Sequence, residues 1–450
     1  MKTEGKILAR NSAWSLLNQL TRVAALALVM IALSRHFGPE RFGSLAFGLA
    51  FVRIFAVLAA FGLDRVLVRQ FVESPNDGRV ILRRALRLRL AIAFLSYASL
   101  LALVFALDPH DRLTMTIVCL AGGGLLFQAF DVFDFYFQAQ NRFHLIFLGR
   151  SIPVVISTGV KLAAVVMGAP LLVFAALETA EMALIAGALL SVYFCRRAAS
   201  PLAASPASRP RRTLLREGLP LVLGSLASMI YMRSDILLLG KMAGFKAAGL
   251  YSAAAQITEA CALLPMAFIP ALFPILLRWR ALGGEVYRRR YEALFLGAFL
   301  AGSGVALCLT ITAPAVVRLV YGPDYASSAP ILVLHVWSAI FLYIAILQTG
   351  YDITEGLTWL SAVRTAAGAI INLTLNFLFI PRYGVIGSAL ATLIALACSG
   401  FLLNALHPRT RPIFAMQLRA FLLVPLWSGW RQAAAPMPRA PLVNSGSVAR

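Results

Sequence analysis

The chain has 450 residues, of which 60% are hydrophobic and only 13% charged, with a mean hydropathy of +0.81. A soluble domain is nearer half apolar and a quarter charged, so the composition excludes an ordinary water-soluble fold and marks a membrane protein. The net charge of +22 does not point to nucleic acid, because the basic residues sit in short loops between apolar runs and are not interleaved with aromatic ones.

The predicted elements are spans of about 20 mostly apolar residues. The amino-terminal run begins with positive charge and could mimic a signal peptide, but it carries Asn18, Gln19 and Arg22 and has no small-residue cleavage site. It reads as a retained first span over about 13–34, with Asn11, Ser15, Asn18 and Arg22 on one helical face. The second span, about 42–63, contains Arg53; the third covers 88–107. The fourth, 113–136, contains the glycine-rich AGGGLL at 121–126, followed by a stripe of Gln128, Asp131, Asp134 and Gln138. Inside a span such glycines suit close helix packing rather than phosphate binding. The fifth, 150–168, holds Lys161, and the sixth, 171–194, holds Glu178 and Glu181.

A Pro-, Ala-, Ser- and Arg-rich stretch, 195–217, then reads as a linker. Beyond it the seventh span, 218–239, carries Ser228, Tyr231, Arg233 and Asp235, and the eighth, 247–273, carries Ser252, Gln256 and Glu259. Spans follow at 292–313, 331–350, 363–380 (with Asn372 and Asn376) and 385–406. The fold class is therefore all-α and polytopic, with about twelve transmembrane helices. The tail, 408–450, is too short and Pro-interrupted for another span and reads as partly interfacial, partly disordered.

The loops fix orientation. With the amino terminus cytoplasmic, roughly thirty basic residues fall inside and about seven outside, so both termini are expected in the cytoplasm. A repeat supports two matched halves. SRHFGPERFGSLAFG, from Ser34, echoes GKMAGFKAAGLYSAA, from Gly240, at an offset of about 206 residues, pairing Arg35 with Lys241 and Gly38/Gly43 with Gly244/Gly249. The halves are expected as a six-helix lobe over 1–194 and another over 218–407, a parallel repeat around a central cavity. The glycines are read as equivalent turns tying the first two helices of each lobe.

An intramembrane charge costs about 2.5–3.5 kcal/mol on insertion scales, so each needs water or a partner. Lys161 with Glu178, and Asp235 with Arg233, are candidate structural pairs, and the acidic residues of the fourth and sixth spans are candidates for solvated interface positions. Arg22 and Arg53, near mid-span, read as cavity residues, because a guanidinium keeps its charge and grips phosphate or carboxylate in two places. The substrate-binding set is Arg22, Arg53, Arg233, Lys161, Asn18, Asn372 and Asn376; Asp131, Asp235 and Glu259 are candidates for a coupling proton or sodium ion. The five scattered cysteines and five histidines offer no metal spacing, no Walker or hydrolase motif is present, and no cofactor is expected.

Four segments in order carry a resemblance: NSAWSLLNQ through LSRHFGPERFGSLAFGLAFV to LAAFGLDRVLVRQ; EGLPLVLGSLASMIYMRSDILLLGKMAGFKAAGLYSAAAQITEACALLPMAFIPALFPIL; VYGPDYASSAPIL; and NLTLNFLFIPRYGVIGSALAT. They resemble the polysaccharide transporter family, the Wzx-like flippases of the multidrug/oligosaccharidyl-lipid/polysaccharide exporter superfamily. The resemblance implies two six-helix lobes in a V that move an undecaprenyl-diphosphate-linked oligosaccharide from the cytoplasmic to the periplasmic leaflet of the bacterial inner membrane. It implies no catalysis; the partners are that lipid-linked oligosaccharide and membrane lipid, with a polysaccharide polymerase and glycosyltransferases as candidates, and no nucleic acid. The lipid II flippases of the superfamily carry cavity arginines on the first two spans, and Arg22 and Arg53 occupy similar places; Arg233 and Lys161 rest on intramembrane charge alone. The tail after His407 departs from the family pattern. The rival readings are a cation-coupled small-molecule exporter of the same superfamily and a membrane glycan polymerase or ligase.

Overall fold

A computed structural model describes residues 2–74, 77–107, 111–197, 211–281 and 283–424. Among the described residues every regular element is a helix. Among the described residues eight helical stretches are long and apolar enough to cross a membrane, and nine if the bent pair Ser328–His335 and Ser338–Thr354 is one span. Two of the eight are double. Lys2–Ala60 breaks at Gly38 (φ 69°, ψ 176°) and Thr358–Gly400 breaks at Gly384 (φ 57°, ψ −134°), so each holds two spans. With Phe245–Cys261 and its continuation Leu263–Ala281 as the eighth span, the all-α polytopic arrangement agrees with the hydropathy reading.

The repeat is visible in the backbone. Gly38 and Gly244 have nearly the same conformation, φ 69°, ψ 176° and φ 88°, ψ 166°. A side chain at such positive φ is strained, which is why glycine occupies both turns. Pro39 follows the first turn at a helix start, where its missing N–H costs nothing. We call the face where these turns lie the far face, and the face where the first span begins the near face.

Packing separates the two halves. One apolar cluster, including Leu276, Tyr291, Phe295 and Met416, is drawn wholly from the second half; another, including Leu67, Ile81, Phe133 and Leu189, comes almost wholly from the first. A third joins them: Leu33, Phe42 and Leu45 pack with Leu239, Tyr251 and Tyr325. Within lipid there is little hydrophobic drive between helices, so close approach through small residues matters. The AGGGLL glycines do this: a Cβ on Gly122 would stand 3.0 Å from Tyr97, and one on Gly124 3.2 Å from Met182.

Two expectations need correction. The stretch 195–217 is not loop at its ends, because helices run to Arg197 and start again at Arg211; 198–210 lie outside the described residues. The tail does not simply lie at an interface. Helix Arg411–Phe421 docks on the second half, burying Ile413, Met416 and Ala420, with Phe421 against Phe299, Phe341 and Phe401. Its buried Gln417 is satisfied by the amides of Asn404 and Gln348, which meet it at 3.0 Å, and this draws the helix inward. Residues 425–450, which include the expected disordered end, lie outside the described ones.

Candidate functional site

The far face is shut by glycines. A Cβ on Gly43 would fall 1.8 Å from the Phe245 carbonyl oxygen, and one on Gly249 would fall 1.9 Å from that of Pro39. These contacts are reciprocal, since Pro39 and Phe245, like Gly43 and Gly249, are repeat equivalents. Gly43 and Gly249 are therefore not turn residues, as the sequence reading had them. Each lies inside a helix that meets the other half backbone to backbone, and only Gly38 and Gly244 make the turns. Arg35 adds a cross-tie from the first half, its Nε donating to the Val320 carbonyl at 2.8 Å near the end of the ninth span.

Beneath this closure both halves line a partly open pocket, whose empty space is about 450 Å³ when the part open to its surroundings is included. Five pairs of its lining residues stand 206 positions apart: Met30 and Ile236, Ala46 and Ser252, Leu49 and Ala255, Ala50 and Gln256, Arg53 and Glu259. The pocket thus straddles the axis of the repeat. Arg233 lines it as well. Arg233 Nη1 lies 3.3 Å from Glu259 Oε1, while Arg53 has no ion-pair partner among the described residues and feels the charges of Arg233, Glu259 and Glu178. Two guanidiniums and one carboxylate make the pocket net positive, suited to an anion with two negative groups.

Arg22 does not line this pocket. It lies eight residues before Met30 on the same helix, about 12 Å toward the near face at 1.5 Å per residue. It is exposed, with Arg150, Asp131, Asp134 and Glu181 as its charged neighbours. Arg150, which the sequence reading passed over as a span boundary, holds the first half together. It pairs with Asp131 at 2.6 Å and with the buried Asp134, so these carboxylates are partnered rather than merely solvated. Lys161 lies between Glu178 at 2.7 Å and Glu181 at 2.9 Å, the structural pairing weighed above with a second carboxylate added. Asn18 accepts a hydrogen bond from Ser151 at 2.9 Å and ties the first span to the fifth.

Asp235 does not pair with Arg233. Residues two apart on a helix point away from each other, and Asp235 faces the interior of the second half. There it accepts from Asn376 Nδ2 at 2.7 Å, from Thr392 Oγ1 at 2.6 Å and from the Tyr251 hydroxyl. Ser388 donates to Asn376 at 2.7 Å, and Ser234 to Asn372 at 3.0 Å. Asn372 and Asn376 are fully buried in this network and do not line the pocket. Asp235 is thus a buried carboxylate held by one amide nitrogen and two hydroxyls, a polar site inside an apolar bundle. Tyr251, Thr392 and Ser388 were missed because single hydroxyls within apolar spans give no pattern until the helices meet.

A family model described as polysaccharide biosynthesis protein matches residues 8–279. A stretch of 103 residues, 22% of the chain, is 28% identical to an uncharacterized membrane protein of Methanocaldococcus jannaschii and spans 20% of that protein. Three solved structures share the fold. An inward-facing multidrug resistance transporter of the MATE family matches with TM-score 0.66 and 15% identity, over 88% of this chain and 96% of that one. The lipid II flippase MurJ, in an inward closed conformation, gives 0.61 and 14%, over 92% and 91%. A MOP superfamily transporter from Pyrococcus furiosus, described as having a binding pocket of reverse polarity, gives 0.60 and 14%, over 94% and 96%. At these identities the likeness establishes the fold.

Proposed function

Because the chain belongs to the polysaccharide biosynthesis protein family, we propose that it is a flippase for an undecaprenyl-diphosphate-linked oligosaccharide. It would carry this cargo from the cytoplasmic to the periplasmic leaflet of the bacterial inner membrane by alternating access. The near face is then cytoplasmic, as are both termini, and the far face periplasmic. The working units are an amino-terminal lobe, 1–194, and a carboxyl-terminal lobe from 218 that we extend to include helix Arg411–Phe421.

One observation carries the reading: each half contributes a guanidinium, Arg53 and Arg233, to one pocket on the repeat axis. A diphosphate bridging them engages both lobes at once, so its binding bears on how the lobes sit. Arg22, nearer the cytoplasm, receives the cargo before the pocket does. The acyl chain stays in the bilayer throughout, which avoids a transfer costing about 0.8 kcal/mol per methylene. Asp235 is our candidate for the coupling proton or sodium ion, with Asn376 and Thr392 holding it and Asn372 supporting Thr392. Asp131, Lys161 and Asn18 are assigned to holding the first lobe together. Membrane lipid, a polysaccharide polymerase and glycosyltransferases are the expected partners.

The test is flipping of a fluorescent undecaprenyl-diphosphate oligosaccharide in proteoliposomes. Protein-dependent flipping that collapses in inserted, folded Arg53→Ala and Arg233→Ala, and slows in Arg22→Ala, is the expected result. Export of a small organic cation, with no glycan flipped, would replace this reading with the drug exporter.

A further inference from the structure

The equivalents Arg53 and Glu259 occupy one register position in the two halves with opposite charge, and Glu259 reaches Arg233 rather than Arg53. That contact is loose. Its N···O separations are 3.3 and 3.4 Å, where a charge-assisted hydrogen bond is ordinarily about 2.7–2.9 Å. The bundle-holding pairs of this chain are tight by comparison: Lys161 to Glu178 at 2.7 Å and Arg150 to Asp131 at 2.6 Å. The Glu259 side chain is 37% exposed against 12% for Arg233, so the carboxylate has room to leave while the guanidinium stays. Two further groups in this pocket are buried without a partner among the described residues, Arg233 Nε and Ser252 Oγ. Ser252, Gln256 and Glu259 share one helical face, and Ser252, 2% exposed, lines the pocket.

Resting on the anionic-cargo reading, we propose that Glu259 is a competing internal anion. It holds Arg233 weakly, gives way to a phosphoryl group of the cargo, and returns to expel that group on the far side. Arg53 takes the second phosphoryl group, and Ser252 Oγ and Arg233 Nε supply hydrogen bonds that Glu259 leaves unused. The charge count supports the exchange. Two guanidiniums balance the two negative charges of a diphosphate diester, and a carboxylate left beside them makes a surplus that repulsion removes. A transporter whose binding groups have no competitor binds tightly and releases slowly, because affinity gained equally in every state does not speed a cycle.

The experiment uses full-length protein in nanodiscs with farnesyl diphosphate as the binding probe, alongside flipping of the fluorescent oligosaccharide in proteoliposomes. Glu259→Gln keeps size and polarity. It is expected to bind farnesyl diphosphate about tenfold more tightly, within the usual range of coupling between sites, yet to flip more slowly than the native protein. In an Arg233→Ala background the same substitution is expected to gain at most about twofold, since the competition is for Arg233. Equal or weaker binding in Glu259→Gln, or an undiminished gain without Arg233, overturns the proposal. If the probe binds the native protein through Arg53 but Glu259→Gln changes nothing, this inference alone falls. If it binds neither the native protein nor any variant, the anionic-cargo reading falls with it.

Discussion

A single methyl group at Gly249 should hold the far face open. The Cβ of an alanine there would stand 1.9 Å from the Pro39 carbonyl oxygen, whereas ordinary contact begins at 3.4 Å, so the halves must part by about 1.5 Å. The oxygen belongs to helix backbone and the Cβ is bonded directly to the backbone of the facing helix, so neither can turn aside. Overpacking of this kind costs about 1–3 kcal/mol, which lowers the ratio of closed to open populations about 5- to 150-fold. The helix itself is not harmed, since alanine is favoured over glycine in a helix interior by about 1 kcal/mol. Spin labels at Glu40 and Lys246, exposed repeat equivalents on either side of the contact, would be placed in a background with the five native cysteines replaced. Gly249→Ala should shift the label distance toward a longer population, and Gly43→Ala should do the same. An unchanged distribution in folded protein would refute the idea that the paired glycines close this face.

Three other outcomes follow from the buried polar groups. Lys161→Met leaves Glu178 and Glu181 without their cation and should cost about 3–5 kcal/mol in thermal or denaturant stability; a double-mutant cycle with Glu181→Gln should recover part of that loss. Asp235→Asn should keep the fold, because an amide still accepts from Thr392 and Tyr251, but should make flipping in proteoliposomes indifferent to imposed sodium and proton gradients. Gln417→Leu strands the amides of Asn404 and Gln348 and should destabilise by about 1–3 kcal/mol, seen as a lower melting temperature without loss of headgroup binding.

The sequence carried the spans and the repeat, because hydropathy and glycine spacing act locally. It also singled out Arg53 and Arg233, since a charge in an apolar run is conspicuous wherever its partner lies. Partners are another matter, because they come from distant segments. Lys161 could be read either as a cavity residue or as a partner of Glu178, and only the packed helices show it between two carboxylates; Arg150, at the edge of a span, drew no attention until Asp131 and Asp134 met it. Asp235 and Arg233 are close in sequence but face different ways on their helix, and of the two readings weighed for Asp235 the pairing with Arg233 is the one not seen. Arg22 shows the limit of counting toward mid-span: the pocket meets the first span at Met30, two turns further on. The tail helix was underestimated because its one informative residue, Gln417, reads as polar surface until the amides that receive it are in place.

The register mates Arg53 and Glu259 have a consequence for symmetry. Two identical six-helix proteins paired about a two-fold axis would have to set arginine against arginine, or glutamate against glutamate, at that position. Two halves encoded separately along one chain are free of that constraint, so one side of the shared pocket is basic at this position and the other acidic. A repeat within a single chain can therefore build what a symmetric pair cannot, a pocket on its own axis that has a direction.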